Sequence, residues 1–320
     1  MPEPKSTETE PTSMETDPTS TEKNFVLYAD AKLNLALAVS PQIKDGRHLL
    51  ESVYTTIDLS DRIDFNYDSQ AEPSLRIETS YAPGLPTIDI PTHENLVYRA
   101  IRAFQNRFQT KLPGSLHIHL HKAIPSEAGL GGGSADAAGA LIAMPHLVGF
   151  RPQPGELRDL AATLGSDVAF FLEGGCAHMG GWGEVLLSKL ELPELDVVIA
   201  KPSAGLSTKA VYQRFDQNPQ PAADLAPLVG RLGDTANPIT AAELVPYLAN
   251  NLSAAAAELC PETAVLTQEL QVCPGLLRAL LAGSGSAVFG LAADTAAAHT
   301  AAEAMRQKGY WAYATQTLPI

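Results

Sequence analysis

The stretch Pro125-Ser-Glu-Ala-Gly-Leu-Gly-Gly-Gly-Ser-Ala-Asp-Ala-Ala138 lies between a segment of alternating apolar residues and a run of small, helix-forming residues. Because glycine has no Cβ, it allows the positive φ values that turn successive backbone N–H groups toward one anion. The helix expected after Ser134 directs the positive end of its dipole and its free N–H groups at the same place. The stretch therefore predicts a loop that binds the phosphates of a nucleoside di- or triphosphate.

Three better-known glycine-loop motifs do not fit this stretch. The dinucleotide-binding pattern Gly-x-Gly-x-x-Gly does not match, because Ser134 stands where its third glycine is required. A Walker A loop needs Gly-Lys-Ser/Thr, which occurs nowhere in the chain, and a nucleophile elbow needs a glycine where Asp136 stands. A flexible linker or a simple helix cap is the plain alternative, and the proline, leucine and Asp-Ala-Ala helix start around the glycines argue against it.

Length and composition limit the class of protein. With 320 residues, 45% hydrophobic and 18% charged, the chain is long enough for a full core in two domains or one large one. A formal net charge of −14 argues against nucleic acid as a partner, so a phosphate ligand needs a local positive pocket. The three cysteines are odd in number and lack Cys-x-x-Cys spacing, which is typical of reduced thiols in the cytoplasm. No membrane span and no signal peptide are predicted.

The segments along the chain alternate between patterns typical of strands and of helices. Their mixed order indicates an α+β fold rather than a doubly wound sheet. Residues 1–23 are acidic and almost free of apolar side chains, and we expect them to form a disordered tail. The other predictions that matter below are strands over 25–39, 49–59 and 62–66, a helix over 136–147 that stops near Pro145, a strand-like run over 168–172, a loose loop over 217–237 and a helix over 241–258.

Three histidines alternate along one predicted strand just before the glycine stretch. His117, His119 and His121 share one face, which raises the possibility of a metal site. The leucine and isoleucine residues between them explain the same pattern as an amphipathic strand with a polar outer face. We therefore favour the amphipathic strand as the interpretation.

Three charged residues stand out as candidates for chemistry. Lys32 is a lone cation in an apolar strand, and a half-buried lysine needs a partner. Asp167 is one candidate, and such a pair suits phosphoryl transfer to a hydroxyl. The carboxylate orients or accepts the hydroxyl proton, and the ammonium stabilises charge on the transferring group. Asp167 as a helix cap or turn acid is the alternative. Lys122 lies three residues before Pro125, at the start of the predicted loop. A lysine beside the phosphate site and a solvated lysine at a strand end are equally compatible with the sequence.

In order along the chain, these segments resemble the GHMP kinases, which phosphorylate small molecules without a Walker A loop. Residues 125–138 match the second motif of that superfamily, and Ala282-Gly-Ser-Gly-Ser-Ala-Val-Phe289 is similar to its third. Five stretches resemble the branch that acts on a cytidylyl-methylerythritol in non-mevalonate isoprenoid synthesis: Ala31-Lys-Leu-Asn-Leu35, Asp45-Gly-Arg-His48, Asn95-Leu-Val-Tyr-Arg-Ala100, Leu164-Gly-Ser-Asp-Val-Ala-Phe-Phe171 and Gly181-Trp-Gly-Glu184. The resemblance covers about residues 25–310.

The resemblance implies a fold of two α+β lobes with the active site in the cleft between them. It implies an N-terminal ATP-binding domain over 24–186 and a C-terminal domain over 187–320, in a cytoplasmic monomer or homodimer. The reaction implied is transfer of the γ-phosphoryl group of ATP to the 2-hydroxyl of the methylerythritol, assisted by Mg²⁺.

The site residues implied by the resemblance fall into three groups. Lys32 and Asp167 match the catalytic lysine and aspartate. The acceptor site is lined by Asn34, Arg47, His48, Thr208 and Tyr212. The residues implied for ATP are Asn95, Lys122, Pro125, Ser126, Glu127, Ala128, Gly129, Leu130, Gly131, Gly132, Gly133, Ser134 and Ala135, with Ser134 as a possible Mg²⁺ ligand.

Two departures from the family pattern keep alternatives open. Arg47 stands where the family has an aromatic residue before the cytosine-reading histidine, and its guanidinium either stacks on the base opposite Tyr212 or points into solvent. Asn250-Asn-Leu-Ser253 replaces Asn-Asp-Leu-Glu. A kinase for another alcohol (mevalonate, homoserine or a sugar) and a non-catalytic nucleotide-binding homologue remain as alternatives. His48 argues against the first, and the retained Lys32 and Asp167 argue against the second.

Overall fold

The structure is a computed structural model that describes residues 22–319. Of the predicted tail, residues 1–21 lie outside the described residues, and Glu22 and Lys23 begin the first strand. The strands are β1 (Glu22–Lys44), β2 (Arg47–Asp68), β3 (Ser74–Tyr81), β4 (Ser115–Lys122), β5 (Cys176–Gly180), β6 (Val185–Leu190), β7 (Asp196–Lys201), β8 (Ala249–Asn250), β9 (Leu276–Leu281), β10 (Val288–Ala292) and β11 (Trp311–Gln316).

The helices of the same part of the chain follow these strands in mixed order, which confirms the α+β class. They are α1 (Leu96–Phe108), α2 (Gly132–Val148), α3 (Glu156–Leu164), α4 (Ser166–Phe171), α5 (Thr208–Phe215), α6 (Ala226–Leu232), α7 (Ala241–Leu244), a 3₁₀ turn (Val245–Tyr247), α8 (Ser253–Leu259), α9 (Pro261–Gln271) and α10 (Thr295–Gln307). None of these described helices is both long enough and apolar enough to cross a membrane.

The chain divides into two compact units, each built from several stretches. The first unit contains the described residues up to Asp30 together with Ser60–Pro125 and Gly132–Leu172. The second contains Ala31–Leu59, Ser126–Gly131 and the described residues from Glu173 onward. The strands β1 and β2 are long enough to contribute residues to both units. The domain limits expected from the sequence, 24–186 and 187–320, stay a prediction.

In the first unit, a three-stranded part of a sheet packs against helices. The end of β2 pairs antiparallel with β4, and β3 pairs parallel with the other side of β4. Side chains of β4 alternate between buried and half-buried positions, as the sequence predicts for an amphipathic strand. Its inner side chains form a core with Phe65 of β2, Phe104 of α1, and Leu141 and Met144 of α2.

In the second unit, two groups of strands carry the helices. The middle of β2 pairs with β5 and β5 with β6, both antiparallel, while β1 pairs parallel with the short β8. A separate antiparallel sheet has the order β11-β7-β10-β9. Its core includes Val198 and Val288 from the strands, Leu266 from α9 and Met305 from α10.

The two strands predicted over 49–59 and 62–66 form one continuous strand, β2, and four other predicted segments differ from the structure. The helix predicted to stop near Pro145 continues to Val148. Its inward side chains are buried along most of its length, and this packing outweighs the one hydrogen bond that proline cannot make. The run over 168–172 is mostly helical, because a short apolar run has no periodicity that separates a strand from a buried helix.

The other two differences lie in the second unit. The segment over 217–237 contains α6 and is not entirely a loop. The helix predicted over 241–258 is interrupted by a 3₁₀ turn and by β8. Asn251 causes part of this break, because its side chain donates to and accepts from the backbone of Val39 in β1, at 2.9 Å each way.

Candidate active site

The glycine loop ends where α2 begins, at Gly132. Gly129 and Gly131 have φ values of +76° and +77°, whereas Gly132 and Gly133 are already helical. The prediction of positive φ is therefore correct for two of the four glycines. A Cβ at Gly129 would lie 2.0 Å from the carbonyl oxygen of Ala282, so the absence of a side chain is required there.

The second glycine-serine turn, which follows β9, lies directly against this loop. The backbone N–H of Ser286 donates to the carbonyl of Glu127 at 3.0 Å, and that of Ala287 donates to Ala128 at 3.2 Å. These two N–H groups therefore hold the loop and are not directed at a phosphate. Asn250 holds the turn in place, because its side-chain amide donates to the carbonyls of Leu281 (3.0 Å) and Gly283 (2.7 Å).

Lys32 lies in the middle of β1 and only 4% of its surface is exposed. Its ammonium donates to Asn34 Oδ1 at 2.7 Å and lies 4.9 Å from the centre of the Tyr54 ring. Asn34 in turn donates to Ser52 Oγ at 2.9 Å, so the amide that receives the lysine is itself held. The backbone N–H of Lys32 donates to the carbonyl of Leu130 at 3.0 Å, which ties this part of β1 to the glycine loop.

In the first unit, Lys122 is buried between two carboxylates. Its ammonium donates to Asp61 Oδ2 and to Asp136 Oδ2. Asp61 Oδ1 also accepts the backbone N–H groups of Ala123 (2.6 Å) and Ile124 (2.9 Å), so the cluster connects β2, the segment after β4 and the start of α2. Burial raises the pKa of Asp136 to about 7, with Lys122 acting against this shift and Asp61 adding to it. Burial alone lowers the pKa of Lys122, but the two carboxylates outweigh it and raise the pKa.

The remaining residues predicted in the first unit lie at helix starts. Asn95 is the N-cap of α1, and its Oδ1 accepts the backbone N–H of Val97 at 2.9 Å. Asp167 is half-buried in the first turn of α4, after the extended residue Gly165. Ser134 is half-buried in the first turn of α2. The pairing of Lys32 with Asp167 stays a prediction.

His48 of β2 is buried and held through both ring nitrogens. Nδ1 lies 2.7 Å from the carbonyl oxygen of Ser40, and Nε2 lies 2.7 Å from Asp216 Oδ1. The carbonyl oxygen of Ser40 can only accept, so Nδ1 donates to it, while Nε2 faces the carboxylate of Asp216. The ring also packs against Tyr212 and Phe215 of α5, with centroids 5.7 and 5.6 Å apart. The structure thus brings His48 and Tyr212 together, and their role in an acceptor site stays a prediction.

Arg47 and Thr208 complete the set of predicted acceptor-site residues. Arg47 is exposed, and its guanidinium lies over the indole of Trp182, 4.0 Å from the ring centre. The hydroxyl of Thr208 is 2.9 Å from that of Ser284 in the glycine-serine turn. Thr208 and Tyr212 are four residues apart on α5 and therefore share one face of the helix.

Two family models match the chain: "GHMP kinases N terminal domain" over residues 95–175 and "GHMP kinases C terminal" over residues 237–310. A 4-diphosphocytidyl-2-C-methyl-D-erythritol kinase from Desulfitobacterium hafniense is 38% identical over 293 residues, which cover 91% of this chain and 95% of that protein. This chain belongs to the GHMP kinases. It is a small-molecule kinase with ATP as co-substrate, and the resemblance found in the motifs is confirmed.

Solved structures agree with this assignment. The crystal structure of a 4-(cytidine 5'-diphospho)-2C-methyl-D-erythritol kinase matches with a TM-score of 0.71 at 33% identity, over 92% of this chain and 99% of that chain. The homoserine kinase of Cytophaga hutchinsonii matches with a TM-score of 0.67 at 18% identity, over 95% and 96% of the two chains, and shows the shared fold alone. The GHMP kinase fold expected from the sequence is therefore confirmed.

Three polar residues at these sites were missed by sequence reasoning: Asp61, Ser52 and Asp216. Asp61 and Ser52 are fully buried polar residues within β2, and their polar neighbours Glu51, Ser60 and Arg62 hide any local sign of this burial. Asp216 follows α5 immediately, and its role depends on where that helix lies beside His48. Local sequence carries no such information.

Proposed function

We propose that this GHMP kinase transfers the γ-phosphoryl group of ATP to the 2-hydroxyl of 4-diphosphocytidyl-2-C-methyl-D-erythritol, in non-mevalonate isoprenoid precursor synthesis. The relative and the solved structure that share 38% and 33% of their residues with it carry that name. The observation that carries the proposal is the arrangement of His48 and Asp216. It offers one hydrogen-bond donor and one acceptor side by side, next to the ring of Tyr212.

This donor–acceptor pair matches the edge of a cytosine. Ser40 accepts the Nδ1–H of His48 and so fixes the orientation of the ring, with Nε2 directed at Asp216 Oδ1 at 2.7 Å. A bound base replaces this contact, accepting a hydrogen bond from Nε2–H and donating one to the carboxylate. Asp216 supplies acceptor oxygens at the neighbouring position. Cytosine presents an amino donor at N4 beside an acceptor at N3, which is complementary, whereas uracil presents the opposite order. Tyr212 provides an aromatic surface of the kind on which bases stack.

The phosphates of ATP bind at the glycine loop and at the first turn of α2. The left-handed conformations at Glu127, Gly129 and Gly131 vary the direction of successive N–H groups, and the N-terminus of this 17-residue helix adds its dipole. Two of the three donors of the buried Lys122 ammonium are engaged by Asp61 and Asp136. We therefore assign it a positioning role, which holds the strand before the loop, in place of direct contact with ATP.

The catalytic roles of Lys32 and Asp167 follow from the family resemblance. The oxygen of the 2-hydroxyl attacks the γ-phosphorus of ATP. The bond between this phosphorus and the leaving oxygen of ADP breaks, and the hydroxyl proton passes to the Asp167 carboxylate. The Lys32 ammonium stabilises the negative charge of the transferring group. Its burial and the bond from its N–H to Leu130 in the loop support this role, because they fix the side chain at one place.

Mg²⁺ fits the donors present. It prefers oxygen ligands and keeps several of its sites for substrate phosphates, and the Ser134 hydroxyl is such a donor in the first turn of α2. When bound, the ion neutralises charge on the β- and γ-phosphates. The finer expectations of a cytoplasmic protein, a monomer or homodimer and no nucleic-acid partner remain part of this proposal.

A coupled ADP-release assay tests the proposal. We expect turnover with the cytidylyl substrate in the presence of Mg²⁺ and little without it. The uridylyl analogue is the matched control, because it differs only in the base edge that His48 and Asp216 face. Sites that hydrogen-bond a substrate group reject analogues lacking it by factors of about 10⁴–10⁵. Equal turnover of both nucleotides would contradict the base-recognition argument. Turnover of mevalonate, homoserine or a sugar but not of the cytidylyl substrate would replace the proposal with a kinase for that alcohol.

A further inference from the structure

The outer face of β4 carries polar groups that the kinase reaction does not use. The register of the sheet places Asp64 of β2 directly opposite His119, and Ser80 of β3 directly opposite His121. His117 lies one pair further along the same face. Side chains of β4 on this face are half-buried, while the alternate ones fill the core of the first unit.

Three of these residues bring their ligand atoms close together. The ligand atoms of Asp64, His119 and His121 all lie within 4.8 Å of one another. Nε2 of His121 is 2.8 Å from Asp64 Oδ2, and the two imidazole centroids are 3.9 Å apart. The Ser80 hydroxyl lies 3.1 Å from one nitrogen of each ring. Ligands of a tetrahedral zinc ion are about 3.4 Å apart, since each bond is about 2.1 Å long, so small side-chain rotations complete the geometry.

The surroundings prepare these groups to act as ligands. Arg62 Nε donates to Asp64 Oδ1 at 2.8 Å, which orients the carboxylate and leaves Oδ2 toward His121. The side chains of Asp64 and His121 are 21% and 36% exposed, so an ion can enter from solvent.

We propose that Asp64, His119 and His121 form a binding site for a divalent transition-metal ion of the Zn²⁺ type, with water completing the coordination. Two histidines and a carboxylate with an open fourth position are a ligand set that zinc accepts. The ion joins β2 to β4, and His121 immediately precedes the buried Lys122. None of the three residues is among those assigned to phosphoryl transfer, and the function of the site is to stabilise this part of the sheet.

Calorimetric titration of the metal-free full-length chain with ZnCl₂ tests the site. We expect one ion per chain, together with a rise in Tm that grows with the Zn²⁺ concentration. Replacing an outer-sphere partner of a metal site costs 10–100-fold in affinity, so losing a ligand in His119→Ala or His121→Ala should cost about 100-fold or more. His117→Ala is the matched control. It removes an imidazole from the same face of the same strand, but the Nε2 atom of His117 faces Glu78 at 3.3 Å. The affinity for Zn²⁺ should therefore stay unchanged.

A second variant and probe guard against misfolding of the alanine variants. Asp64→Asn keeps the shape of the side chain, and bound Co²⁺ gives a visible absorption that we expect in the wild type and not in this variant. Absence of Zn²⁺ binding to the wild-type chain would overturn the proposal. Equal affinity in the wild type and in all the ligand variants would overturn it as well, because the ion would then bind elsewhere.

Discussion

Replacing Gly129 with alanine tests how closely the glycine loop is packed. Gly129 has φ +76°, a conformation that costs an L-residue roughly 1–2 kcal/mol. The new Cβ would lie 2.0 Å from the carbonyl oxygen of Ala282, and a backbone oxygen cannot rotate away as a side chain can. Cβ contacts below 3.0 Å do not persist in proteins, so the loop and the turn must separate by about 1 Å, the difference between these two distances.

This displacement sets the size of the expected effect. A misplacement of about 1 Å in groups that orient a substrate can reduce the rate about 10²-fold, which corresponds to about 2.7 kcal/mol of transition-state stabilisation. We therefore expect kcat/KM for ATP to fall about 100-fold in Gly129→Ala. The displaced turn carries the Ser286 and Ala287 bonds to the loop, so affinity for a non-hydrolysable ATP analogue should fall as well.

Gly309→Ala separates the collision from the backbone strain. Gly309 has φ +89°, and a Cβ there meets nothing within 4 Å. Gly309→Ala has a similar conformational cost, so urea unfolding should show a lower free energy of unfolding. Its kinetics in the ADP-release assay should remain those of the wild type. If both variants lose ATP affinity equally, or neither does, the loop's contact with Ala282 does not position the nucleotide.

The remaining predictions concern three side chains. Asp167→Asn should lower kcat about 10²–10⁴-fold with ATP binding retained. The control Asp159→Asn changes an exposed carboxylate on α3 and should leave kcat unchanged. Near-normal kcat in Asp167→Asn would refute a catalytic role for Asp167. The folded chain holds the Asp136 proton more tightly than the unfolded chain, so this group's contribution to stability is complete below pH 3.8 and is lost as the pH rises through about 7. In urea unfolding from pH 5 to 8, the stability of Asp136→Asn should therefore fall less steeply than that of the wild type, by up to about 1.4 kcal/mol per pH unit. Parallel profiles of the two proteins would contradict this. Arg47→Ala should raise KM for the cytidylyl substrate about 5-fold or more, and Arg47→Tyr should restore it; an unchanged KM would mean that Arg47 only packs on Trp182.

Features with a strong local signal were predictable from the sequence. The positive φ values in the glycine loop were predicted for Gly129 and Gly131, and the kinase family was predicted from the motifs around Lys32, His48 and Asp167. The alternating pattern predicted β4 because side chains of a strand point to opposite faces in turn. Each of these depends on neighbouring residues and on steric rules that act within a few positions.

Features that depend on distant partners required the tertiary structure. Whether Pro145 ends α2 is decided by the packing of that helix, and the turn at Asn251 is decided by its bonds to β1. The roles of Asp61 and Asp216 exist only because β4 and His48 come beside them in the fold. The same holds for Asp64, which joins His119 and His121 through strand register. The chain by itself determined which chemical groups are present and which local structures they favour. Their partners were decided by tertiary packing, because burial makes a charged or polar group depend on whatever residue the fold places within hydrogen-bond distance.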